Sequence, residues 1–309
     1  MNRIFLLLLI LLTCNCSNAM ELNNTIKLSD GRILGYAEYG ASNGIPILYF
    51  HGGQESRLSS IFMDSVAKKL GIRIIAPDRP GVGLSTYQPE RKFLDWSSDV
   101  NELLDSLGIS QCSIFGLSGG APHVLSCLYN NPERIINASI VSGATPYNYK
   151  SSLKGMWFPV KLLHLFASKK NDKTLRKYIK KDSESLVYKP EKRIKQFQKY
   201  LPIPDKELMK SNPKYGWSFI DGSKESYKQG IDGVVQEWKL YVRDWGYDLE
   251  KITTHVTLWY GDKDKMAPIS RGQYYYKTLP SSTLYIIENE AHFSLIRNRL
   301  EEILSDLKK

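Results

Sequence analysis

The chain has 309 residues, of which 42% are hydrophobic and 24% charged. That length buries a large core, as one enlarged domain or as a core with an insertion, and the composition is ordinary for a globular protein. The net charge of +10 is placed unevenly, which suggests a separate structural unit, and no nucleic-acid partner is expected.

Residues 1–19 read as a secretory leader. Arg3 precedes nine apolar residues, Ile4 to Leu12, and Ser17 and Ala19 suit cleavage after Ala19. Nine residues are too few to span a bilayer, which takes about 20. The expectation is export by the secretory route, to a periplasmic or extracellular location. Leu11-Leu12-Thr13-Cys14 loosely matches a lipoprotein box, but threonine before the cysteine ranks lipid anchoring at Cys14 second. Cleavage would discard Cys14 and Cys16. Cys112 and Cys127 remain, too few for a disulfide framework and expected to be small buried hydrophobes.

Residues 26–39 contain two apolar runs around Asp30-Gly31, the signature of a β-hairpin. Residues 46–50 form an unbroken apolar run, as in a strand buried on both faces, and end in His51-Gly52-Gly53-Gln54. A helix is predicted over 58–70, stopped by Gly71, then a buried strand over 72–76. A turn-rich loop follows, Asp78-Arg79-Pro80-Gly81-Val82-Gly83-Leu84-Ser85. Asp95 is placed to cap a helix running to Leu107, with Val100, Leu103, Leu104 and Leu107 on one face.

The segment Ile114-Phe115-Gly116-Leu117-Ser118-Gly119-Gly120-Ala121 lies between a predicted strand and a predicted helix. Gly116 and Gly120 flank Ser118 at G-x-S-x-G spacing, which permits a tight, strained turn that exposes the hydroxyl. Such a serine is a candidate nucleophile, and the Gly119 N–H a candidate oxyanion donor. The competing reading is a glycine-rich connection with an ordinary exposed serine.

A strand over 135–141 precedes a change of character. Residues 150–230 carry 20 Lys+Arg against 8 Asp+Glu, a net +12, leaving −2 for the rest of the chain. This segment is rich in Lys and Tyr and reads as helical, with Ile194, Phe197 and Leu201 on one face and Pro204 near a helix start. We assign a first core segment at 20–145, a helical cap at 146–230 and a second core segment at 231–309. The cap's charge is read as a solvated lysine face, with at most weak contact with anionic surfaces. A helix over 234–243, a strand over 256–260 ending in Gly261-Asp262-Lys263-Asp264, a further helix, a strand over 283–287 and a terminal helix complete the chain. Strands alternating with helices make the fold class α/β, with a mostly parallel sheet.

In order and spacing, His51-Gly52-Gly53, the Asp78–Ser85 loop, Gly116–Gly120, Gly261–Asp264 and Ala291-His292-Phe293 resemble the α/β-hydrolase fold family. The likeness is to its capped serine hydrolases, a group that includes proline iminopeptidases and epoxide-hydrolase relatives. It runs from about Ile26 to the C-terminus and is weakest in the cap. The resemblance implies a triad of Ser118, Asp264 and His292, with Gly53 and Gly119 as oxyanion donors. Asp264 is preferred to Asp262 because the family places its acid three residues beyond the strand-end glycine. Of five histidines, only His292 follows the acid's strand. It is expected in a loop, where a mobile imidazole could reach the elbow.

Gln54 and Glu55 stand where proline iminopeptidases have Pro-Gly, and Leu117 and Gly119 also depart from their elbow, which favours esters over peptides. Serine in place of an aspartate nucleophile disfavours epoxide opening. The function expected is therefore hydrolysis of a small-molecule carboxylic ester through an acyl-enzyme. Alternatives are an aminopeptidase, a lactonase, a thioesterase or a non-catalytic binding protein. No cofactor or metal is implied, and the oligomeric state is left open. Cap aromatics, Trp157 and Trp217 among them, are expected to line the substrate pocket.

Overall fold

The structure is a computed structural model, and it describes residues 20–149 and 151–309. The expected leader, with Cys14, lies outside the described residues. The chain opens with an antiparallel hairpin, β1 (Glu21–Lys27) and β2 (Ile33–Gly40), whose Asp30-Gly31 turn places Gly31 at φ 89°. Then come β3 (Ile45–Phe50), α1 (Asp64–Leu70), β4 (Ile72–Pro77), α2 (Asp95–Ser106), β5 (Cys112–Leu117), α3 (Ala121–Asn130) and β6 (Ile135–Val141). Five helices follow: α4 (Phe158–Ala167), α5 (Lys173–Tyr188), α6 (Pro190–Tyr200), α7 (Ile203–Ser211) and α8 (Pro213–Glu225). The core resumes with α9 (Asp232–Tyr241), β7 (Val256–Gly261), α10 (Ile269–Thr278), β8 (Ser282–Ile287), α11 (His292–Asn298) and α12 (Leu300–Leu307).

The eight strands form one sheet in the order β1-β2-β4-β3-β5-β6-β7-β8. The β1–β2 and β2–β4 pairs are antiparallel and every later pair is parallel. A parallel sheet needs cover on both faces, and side-chain alternation along each strand supplies two cores. Leu48, Phe50 and Ile114 face one way, onto Trp96, Val100, Leu103 and Val124 of α2 and α3. Ile47, Tyr49, Phe115 and Leu117 face the other, onto Ala67 of α1 and Leu295, Leu300 and Leu304 of α11 and α12. The neighbouring Cys112 and Cys127 are free and buried, and burial pushes the Cys112 thiol up to about 12.

Two sequence expectations need local correction. The predicted helix over 58–70 begins as a 3-10 segment, Arg57–Met63, capped by Ser56, before becoming α1. Gly71 ends it in the left-handed conformation, φ 65°. Asp95 is the first residue of α2 and not its cap: its carboxylate accepts the Lys92 N–H at 2.7 Å and folds back on the preceding turn.

Candidate active site

β5 runs straight into the Ser118 turn. Ser118 sits at φ 52°, a left-handed conformation that costs a non-glycine residue of order 1–3 kcal/mol. The flanking glycines are required by close approach: a Cβ on Gly116 would lie 2.8 Å from the carbonyl carbon and oxygen of Gly120, and one on Gly120 would strike the Phe50 carbonyl oxygen at the end of β3. The turn is therefore wedged against the next strand, with α3 starting behind it at Ala121. The Ala144 N–H donates to the Ser118 carbonyl at 2.9 Å and ties the end of the β6 segment to the same turn.

The loop after β3 faces this turn. A Cβ on Gly119 would come within 2.9 Å of the Gly53 nitrogen, so the two glycines pack directly against each other. Buried charges hold that loop. Arg79 donates from Nη1 to the His51 carbonyl at 2.5 Å and from Nη2 to the Gly52 carbonyl at 2.7 Å. With both carbonyls committed to the guanidinium, the Gly53 N–H is left facing the cavity side of the loop. The following residue, Gln54, is left-handed at φ 56°, and its amide donates to Tyr227 Oη at 2.8 Å and to Asp182 Oδ2 at 3.1 Å.

His292 Nδ1 lies 2.8 Å from Asp264 Oδ2, and both residues are buried. Asp264 Oδ1 accepts the Met266 and Ala267 amides at 2.7 and 2.8 Å, so the carboxylate is fixed in place before it meets the imidazole. Burial opposes the imidazolium, but the Asp264 carboxylate, helped by Asp205 and Glu55, outweighs it and raises His292 above its ordinary value. The bond to Asp264 puts the proton on Nδ1 and leaves Nε2 as the free ring nitrogen of a residue that lines the same cavity as Ser118. Asp262 stays outside this arrangement, paired with Lys263 at the surface.

His292 is not in a loop: it is the first residue of α11. Three buried amides around that helix start have side-chain partners. Ala291 donates to Ser294 Oγ at 2.8 Å, and Phe293 and Ser294 donate to Asp205 Oδ1 at 3.0 and 2.8 Å. Asp205 comes from α7, within the five-helix insertion. Its burial pushes the carboxyl up to about 6.

Ser118, Gly119, Gly53 and His292 line one cavity of about 200 Å³. The insertion closes it with Trp157, Val160, Leu163, Leu186, Phe197 and Phe219. Trp157 therefore stands at the cavity wall. Trp217 is not among the lining residues: it is 38% exposed and borders a separate outer depression with Ile194 and Met209. At about 100° per residue, a helix turns side chains two positions apart to nearly opposite faces, so Phe219 points inward and Trp217 outward.

Residues 45–298 match the family described as alpha/beta hydrolase fold. The chain belongs to the alpha/beta hydrolase fold family. It is 23% identical to 2-hydroxymuconate semialdehyde hydrolase of Pseudomonas putida, over 82% of this chain and 83% of that one. It is 27% identical to a non-heme chloroperoxidase of Streptomyces lividans, over 46% of this chain and 52% of the other. Several such curated relatives are thus matched over only about half of their length. An esterase of Exiguobacterium antarcticum superimposes with a TM-score of 0.68 at 18% identity, covering 93% of this chain and 99% of that one, a likeness of fold.

Two features of this alpha/beta hydrolase had no clear sequence signal. The first is Glu237 on α9, a buried hub that forms ion pairs with Arg79, whose Nε is 2.9 Å away, and with Arg91, and accepts the Tyr241 hydroxyl at 2.8 Å. An acidic residue on an amphipathic helix reads as solvent-facing until the fold folds it inward. The second is Glu55, which lines the cavity beside the His51–Gly53 loop and accepts the Gly52 N–H at 3.2 Å. Burial pushes its carboxyl up to about 7, against the Gly52 amide and the nearby His292. It was visible in sequence only as a departure from the iminopeptidase motif.

Proposed function

We propose that this protein is a serine hydrolase of small carboxylic esters, with Ser118 as nucleophile, His292 as general base and acid, and Asp264 as the group that fixes the imidazole. The observation that carries this reading is the 2.8 Å His292–Asp264 contact in the same cavity as a strained Ser118. Ser118 Oγ attacks the ester carbonyl while His292 Nε2 takes its proton. The oxyanion forms between the Gly53 and Gly119 amides, each such donor being worth about 2.7–4 kcal/mol in the transition state. Collapse of the intermediate expels the alcohol, which leaves with the proton from His292. A water then gives its proton to His292 and attacks the acyl-Ser118 carbonyl, releasing the carboxylic acid and restoring the serine.

Tight apolar walls and the small cavity favour a small acyl or alcohol group. Incubation with a fluorophosphonate probe tests the reaction class. Labelling of the wild type that disappears in Ser118→Ala supports it, and equal labelling of both, or of neither, removes it.

A further inference from the structure

The reading as an ester hydrolase leaves one cavity residue without a task. Arg271, in the first turn of α10, lines the same cavity as Ser118 and His292 and is only 3% exposed. Its Nε and Nη2 both donate to a single neutral acceptor, the Ser152 carbonyl, at 3.3 and 3.0 Å. No carboxylate lies within ion-pair distance of it. This holds for the whole chain, because residues 1–19 and residue 150 contain no Asp or Glu. Nη1 donates to nothing among the described residues.

The other buried arginines of the core behave differently. Arg57 pairs with Asp78 and Glu225, and Arg79 and Arg91 pair with Glu237. Within the cavity, Arg193 is paired with Asp182. An arginine cannot shed its proton to escape burial, so a guanidinium left with one carbonyl carries an unbalanced charge in a low-dielectric site. Asp264, the carboxylate whose charge reaches Arg271, is already committed to His292 and to the Met266 and Ala267 amides, and Glu55 sits beside His292 and Arg79. His164, the titratable neighbour on the cavity wall, donates from Nδ1 to the Val160 carbonyl at 2.9 Å. Burial and the Arg271 charge lower it to about 4, so it is neutral and Arg271 is the fixed cation at that end.

We propose that Arg271 is a substrate-recognition residue, and that the preferred ester carries a free carboxylate that pairs with this guanidinium: a half-ester of a short dicarboxylic acid, or an ester of a short hydroxy acid. Such a group supplies the charge the cavity lacks and accepts the fork of donors that Ser152 only half occupies. Ionised hydrogen bonds of this kind typically discriminate by about 10- to 100-fold.

The inference rests on the esterase reading, and its test separates the two. The kcat/KM of the purified protein is measured on mono-p-nitrophenyl succinate, glutarate and adipate against p-nitrophenyl butyrate, pentanoate and hexanoate. A second arm compares 4-acetoxybutyrate with a neutral acetate ester of equal length. The readout is the anionic-to-neutral ratio, whatever the absolute rate. In the wild type the ratio is expected to exceed one, by about 10-fold or more for the best length. Arg271→Gln should collapse it, while Arg271→Lys should keep part of it.

A wild-type ratio below one in both arms overturns the proposal without any variant. A high ratio that survives Arg271→Gln overturns it as well. Fluorophosphonate labelling of Ser118 on the same preparation shows which reading has failed. Labelled protein with no anionic preference loses only the Arg271 assignment, and unlabelled protein loses the esterase itself.

Discussion

The Tyr241 hydroxyl occupies the space into which a side chain on Gly119 would grow, and it reaches the Gly119 carbonyl at 3.2 Å. The residue after Ser118 is thus glycine here because a tyrosine from α9 fills the space a side chain would need. Tyr241 is in turn held by Glu237 at 2.8 Å. A chain of contacts therefore runs from the oxyanion loop through Arg79 and Glu237 to the far side of the same amide.

The first prediction follows from that packing. Gly119→Ala should lower kcat/KM by about 100-fold or more by displacing an oxyanion amide. Because Cζ of Tyr241 is also only 2.8 Å from the built Cβ, removing the hydroxyl alone should give little relief. Combining Gly119→Ala with Tyr241→Ala should recover part of the loss. A double-mutant cycle on kcat/KM checks this, and strict additivity would show the two positions to be independent.

The acid should matter through the tautomer it enforces. Asp264→Asn is expected to lower kcat by about 10⁴-fold with folding retained. His292 must be neutral to accept the serine proton, so activity rises with pH through its raised value, above the ordinary 6.5. Losing the Asp264 carboxylate removes the main cause of that rise. The acid limb of the residual kcat/KM profile should therefore move to lower pH, and a limb that stays in place would contradict the assigned pairing.

Glu55 makes the fold sensitive to pH in a definite sense. Its folded value, about 7, lies above the ordinary carboxyl value of 4.5. The folded state therefore binds more protons than the unfolded chain between those values, and stability falls as pH rises through that window. Glu55→Gln keeps an acceptor for the Gly52 N–H but cannot ionise. Its Tm should exceed that of the wild type at pH 8, and the gap should shrink at pH 5. Thermal denaturation at the two pH values decides it.

The two tryptophans should separate cleanly. Trp157→Ala enlarges the cavity wall and should alter relative kcat/KM across ester chain lengths by about 10-fold, the scale on which pockets read methylenes. Trp217→Ala, on the outer face, should leave that ranking unchanged. Equal effects from both would mean that the insertion moves in solution relative to the arrangement described.

How much of this was legible beforehand depended on the range of the signal. The hairpin, β3 to β6 and the nucleophile turn are encoded within short windows by apolar runs and by glycines that close approach demands, Gly116 and Gly120 above all. Asp264 and His292 could be picked out by motif order, although they meet only through a fold that joins residues 28 apart in sequence. The start of α11 at His292 could not be read locally, because its cap, Asp205, lies 88 residues from Phe293. Trp217 and Phe219 look equivalent as cap aromatics in sequence, and only the rotation of α8 separates them. Glu237 gave no hint at all, since its partners Arg79 and Arg91 arrive from another part of the chain.

Asp205 also limits what can be exchanged in this molecule. Swapping the insertion for one from a relative is the natural way to change substrate range, since half of the residues lining the cavity come from it. Yet the same segment carries the carboxylate that receives the two amides next to His292. A graft that lacks an equivalent acid would leave two buried N–H groups unmatched, at about 1–3 kcal/mol each, directly beside the imidazole. Transplants that keep Asp205 and its helix α7 should fold and turn over, whereas those that replace it should lose activity on every ester alike. Interchangeability thus ends at one side chain, and a useful library would vary α4 to α6 and hold α7 constant.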